Sequence, residues 1–153
     1  MRLFVGILLF ITCVAIGYLY AGKYGKVTKF FNDFLSFNNK LRLEIGFTKT
    51  PIIQIANSLE DNGDFNKCLK NKITSGKFDF KEKYLKSDEI EFLKIYLNNL
   101  DSGDINSQLK YLEEISLNLE KKLSSAKEEQ KRYSALSIKL AFLIGLSALI
   151  IVL

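Results

Sequence analysis

A chain of 153 residues sets an expectation of one domain, and its composition, 48% hydrophobic and 25% charged, is close to that of an ordinary globular chain. The formal net charge is +5, with no histidine and two cysteines. These counts leave no histidine for acid–base chemistry or metal ligation. The thiols, Cys13 in an apolar run and Cys68 in mid-chain, suggest neither a disulfide nor a metal site.

Residues 3–22, LFVGILLFITCVAIGYLYAG, carry no charge. Twenty helical residues span about 30 Å, the hydrocarbon thickness of a bilayer. The run reads as a retained anchor rather than a cleaved signal peptide. Only Arg2 precedes it, it is long for a signal's apolar region, and no A-x-A site follows. Residues 1–22 are therefore expected to form an N-terminal transmembrane helix.

VTKFFNDFLSFNNKLRLEI (27–45) has apolar residues at 27, 30, 31, 34, 35, 37, 41, 43 and 45, mostly three or four apart. It predicts a helix that continues the first span. The only proline, Pro51, follows soon after. Proline has no N–H to give and a φ near the helical value, so it suits a first turn, and it biases Thr50 away from helix. Thr50 can cap that turn. Together Thr50 and Pro51 read as a structural corner with no contact role. A second helix is expected from Pro51 to about Glu60, with Ile52, Ile55, Ala56 and Leu59 on one face.

EDNGD (60–64) reads as a turn. Residues 65–84 are weakly patterned: FNKCLKNK suggests a short helix, and the stretch around Gly76 has little period. SDEIEFLKIYLNNL (87–100) is clearer, with Ser87 as a capping residue and Asp88 and Glu89 in the first turn. Ile90, Leu93, Tyr96, Leu97 and Leu100 form its stripe. DSGD (101–104) is the next turn, with Asp104 as the N-cap. From Ile105 a stripe runs through 109, 112, 116, 119, 123, 126, 130 and 133, largely leucine. It predicts one helix of about fifty residues packed antiparallel on 27–45 and running into the last apolar segment. That segment, LAFLIGLSALIIVL (140–153), reaches membrane-spanning length when extended back through residue 133, with Lys139 snorkelling to the interface. Its place at the C-terminal end favours a span over a buried core helix.

Lys23, Lys26 and Lys29 follow the first span, and Lys131, Arg132 and Lys139 stand at the second. Positive flanks stay in the cytoplasm, so the middle is expected there, with both ends on the far side. Residues 23–49 hold six Lys and Arg against two acids, and 120–132 hold five against three. Residues 51–119 hold nine against twelve. The basic parts therefore lie next to anionic headgroups and the acidic part lies away from them. No basic patch with interleaved aromatics points to nucleic acid.

There is no P-loop, no Gly-rich phosphate cradle and no calcium loop. Glu113 and Glu114 read as solvated charges on a helix face. The first span has no ionisable residue within it, which argues against an ion path. The expectation is a non-enzyme without cofactor, metal, nucleic acid or small-molecule substrate. The fold class is all-α, a membrane-anchored antiparallel helical bundle (23–132) between transmembrane helices at 1–22 and 133–153.

Three stretches carry a resemblance to the stage III sporulation protein AB family of endospore-forming bacteria. In LEIGFTKTPIIQIA (43–56), Glu44, Ile45, Phe47, Thr50, Pro51 and Ile52 match the family's acidic-Ile pair, aromatic and Thr-Pro step. In LDSGDINSQ, Leu100, Asp104 and Gln108 match. In the last segment, Lys131, Tyr133 and Gly145 match a basic-aromatic run into a Gly-containing span. Thr48, Asp101 and Gly103 depart from the pattern, which changes turns rather than helices.

The resemblance implies a component of the complex linking mother cell and forespore during engulfment, a channel needed for late forespore gene expression. The family is similar to the inner-membrane platform protein of type II secretion and type IV pilus systems. The implied partners are the cognate hexameric sporulation ATPase and sibling membrane subunits, and the implied place is the mother-cell side of the outer forespore membrane. The acidic part, 51–119, is the expected ATPase face, with Asp88, Glu89, Glu91, Asp104 and Gln108 as candidate contacts. Two rivals are a membrane scaffold self-associating through the 105–133 seam and, less favoured, a holin-like pore former.

Overall fold

The structure, a computed structural model, describes residues 2–47, 52–58, 63–78, 80, 84–100 and 104–152. Five helices hold nearly all of them: α1 (Arg2–Phe47), α2 (Ile52–Asn57), α3 (Asp64–Ser75), α4 (Ser87–Asn99) and α5 (Ile105–Val152). No strand occurs among the described residues, so the chain is all-α. With no proline between residues 2 and 47, α1 continues without a break from the apolar run into the Phe-rich segment. The chain divides into two compact units, one of residues up to Thr28 and from Ser125 onward, the other of Lys29–Ser124.

In the first unit the two long helices pack antiparallel. Phe10 meets Phe142 edge to face with centroids 5.5 Å apart, and Tyr24 stacks on Tyr133 at 5.5 Å. Thr28 Oγ1 donates to the carbonyls of Tyr24, at 3.1 Å, and Ala126, at 3.3 Å. Small residues let the backbones approach. A Cβ added to Gly17 would overlap that of Ala141 and come within 3.3 Å of the Ser137 carbonyl. The large apolar side chains point outward: Phe4 is 72% exposed, Leu19 78% and Ile151 83%. Both helices are long and apolar enough to cross a membrane. Thr12 and Ser147 return their hydroxyl protons to carbonyls one turn back, which suits an apolar surrounding.

The second unit has the opposite packing. Phe30, Phe31, Phe34, Phe37 and Leu41 of α1 are buried at three- and four-residue steps. Phe65, Cys68 and Leu69 of α3, Leu93, Tyr96 and Leu97 of α4, and Leu112, Ile115, Leu119 and Leu123 of α5 are buried as well, and Phe30, Phe34 and Phe37 all pack on the Phe65 ring. Phe34 lies at the centre, stacked on Phe65 at 4.6 Å and edge-on to Tyr96 at 4.6 Å. Pairs of this kind add about 0.5–1.5 kcal/mol each beyond the area they bury. Ile55 and Ala56 close the core from α2, which packs on α3.

Four local expectations need correcting or placing. Leu43, counted among the inward apolar positions, is 61% exposed. Two residues beyond Leu41 it lies about 200° round the helix, so the two cannot share a face. Helix α3 is longer than the short helix expected. It ends where Gly76 takes φ 68°, a left-handed value suited to glycine, and its N–H donates to the Lys72 carbonyl at 2.9 Å. The N-cap of α4 is Lys86, and Ser87 is the first helical residue. The corner at Thr50 and Pro51 lies outside the described residues, as do Leu59 and Glu60 at the expected end of α2.

Candidate interaction surface

The acids singled out on α4 divide by their hydrogen bonds. Glu89 faces the N-terminus, where exposed backbone N–H groups and the helix dipole favour a carboxylate. Its Oε2 accepts from the Lys86 N–H at 2.8 Å, while its own N–H donates to the Lys86 carbonyl at 3.1 Å. Glu89 therefore starts the helix, and it is half-buried. Asp88 and Glu91 are exposed and three residues apart, hence neighbours on one helix face.

The spacing Leu100, Asp104, Gln108 has a structural explanation. Asp104 caps α5: its carbonyl accepts from the Gln108 N–H at 2.9 Å and its Oδ2 from the Ser107 N–H at 3.5 Å. Hydrogen bonds from Ser107, side chain first and then backbone, hold the Asp104 carboxyl below its ordinary range. Gln108 donates from its side-chain amide to the Leu100 carbonyl, tying the end of α4 to the first turn of α5. Asp104 and Gln108 thus serve the junction between two helices.

A polar feature in the second unit escaped the apolar pattern. Asn38 is fully buried between α1 and α5. Its Nδ2 donates to the Leu112 carbonyl at 2.9 Å and to Ser116 Oγ at 2.7 Å, and Ser116 donates in turn to Asn39 Oδ1 at 2.9 Å. Asking which residue completes the steps 31, 34 and 41 would have found position 38. Beside this clasp a groove of about 700 Å³ opens between the two helices. Leu43, Leu109 and Leu117 supply its apolar surface, and an ion pair between Arg42 and Glu113, 3.1 Å, stands at its rim.

Further charges and rings lie in each unit by itself. Lys122 Nζ lies over the rings of Phe92 and Phe31, 5.4 and 6.0 Å from their centroids. In the first unit the Arg132 guanidinium sits 5.6 Å from the Tyr133 ring centroid. Burial pushes the Tyr96 phenol well up, with Tyr111 adding to the shift. Among the described residues no three His, Cys, Asp or Glu side chains gather as metal ligands would.

No curated protein and no solved structure matches the chain. A family model described as stage III sporulation protein AB matches residues 2–153. That family is a structural one in sporulation and is not known as an enzyme family. The chain belongs to the stage III sporulation protein AB family, which gives it a role at stage III of sporulation.

Proposed function

We propose that the chain is a two-span membrane platform in the complex that links mother cell and forespore, with its 29–124 unit in the mother-cell cytoplasm engaging a hexameric secretion-type ATPase. One observation carries most of this reading. Most large apolar residues of the end helices face outward, whereas most of those in the 29–124 unit, including every phenylalanine from Phe30 to Phe37, are buried in an aromatic core. An exposed apolar surface of this extent suits hydrocarbon, and a closed core with charged outer faces suits water. The lysines and arginines flanking both apolar runs favour a cytoplasmic middle. The ATPase and the sibling membrane subunits come from the likeness of the family to secretion platform proteins.

Asp88 and Glu91 are the acids proposed for the ATPase contact, because Glu89 is engaged in starting α4. The test is crosslinking in membranes followed by copurification on the tagged full-length chain. A secretion-type ATPase should copurify, and Asp88→Lys with Glu91→Lys should reduce its recovery without lowering the amount of folded protein. Unchanged recovery removes this surface from the account. Recovery of the chain alone, with no ATPase, removes the platform reading. The rival scaffold needs the 105–133 seam on the outside, but Leu112 and Leu119 are 1% and 0% exposed within the chain itself.

A further inference from the structure

We draw no further inference here: the strongest candidate, the groove between α1 and α5 bordered by Leu43, Leu109 and Leu117, carries nothing because nothing in the structure shows what covers it.

Discussion

Where residues 2–28 meet 125–152, glycine and alanine make the closest backbone approach, a few rings such as Phe10 and Phe142 pack across the pair, and most leucines and isoleucines are left outside. Within residues 29–124 the order is largely reversed: rings and most leucines fill the interior around the buried Asn38, and lysines and glutamates take the surface, with Leu43 and Leu117 left exposed at the groove. The same two helices, α1 and α5, contribute to both units. What changes along them is which side chains are buried, and that change is consistent with a membrane around the first unit and water around the second. Apolar burial drives association in water but gains little where the surroundings are already hydrocarbon, so there the backbones approach through small residues instead.

The largest expected difference between the units follows from that. Phe34→Ala removes a fully buried ring that touches Phe65 and Tyr96 and should cost about 3–5 kcal/mol, read from denaturation of the full chain in detergent. Leu19→Ala, at a position 78% exposed, should leave the same transition almost unmoved. Equal losses would erase the contrast between the units.

The reverse substitution comes next. Gly17→Ala adds a methyl where Ala141 and the Ser137 carbonyl leave no room, whereas nothing lies within 4 Å of a Cβ added at Gly22. The first change should weaken the helix pair by about 1–3 kcal/mol. The readout is crosslinking between cysteines placed at Phe10 and Phe142, in a variant with Cys13 replaced by Ser. Gly22→Ala should leave the crosslink as it was.

A smaller and more discriminating effect is expected at Asn38. Asn38→Ala takes the amide donor away from Ser116 Oγ and the Leu112 carbonyl and leaves a void, although Ser116 keeps its bond to Asn39, and should destabilise by about 1–3 kcal/mol. Asn38→Leu, which fills the space without a polar atom, should cost less. If the leucine variant is the worse of the two, the polar clasp matters more than packing.

The smallest effect concerns acid. The Asp104 carboxyl is held below its ordinary value of 3.8 by Ser107, so its contribution is complete above that value and fades as pH falls through the folded-state pKa. The stability difference between the parent chain and Asp104→Ala should therefore be constant near neutrality and shrink below about pH 4. A difference independent of pH down to 2 would mean that the charge of the cap contributes nothing.

The long helices were legible because their signals are strong: an uncharged run, a three-four stripe from Ile105 and a span-length end. The Asp104 cap was legible for the same kind of reason, since a short acid before a periodic run has few other uses. Ile115 was missed because α5 is packed by more than one neighbour, α1 through Asn38 and α4 through Phe92, which widens its buried arc beyond the counted stripe. Phe80 and Tyr84 joined no pattern, yet both rings reach Phe30, at 5.4 and 6.4 Å, from a stretch without periodicity. Long-range ring contacts of this kind leave no local trace. The candidate surface was only half legible. Charge placed Asp88, Glu89 and Glu91 together, but only the bond from the Lys86 N–H to its carboxylate reveals that Glu89 is already engaged, and the groove depends on side chains from two distant segments.

The most direct test of the account is labelling of single cysteines with a membrane-impermeant maleimide in a chain where Cys13 and Cys68 are replaced by Ser. Asn118→Cys, exposed in the 29–124 unit, should remain unlabelled in intact protoplasts and react once the membrane is permeabilised. Leu19→Cys, exposed on the first unit, should react in neither condition, as a position inside the proposed membrane span would. Labelling of residue 118 in intact protoplasts would contradict the cytoplasmic placement, and labelling of residue 19 in permeabilised ones would contradict the membrane span.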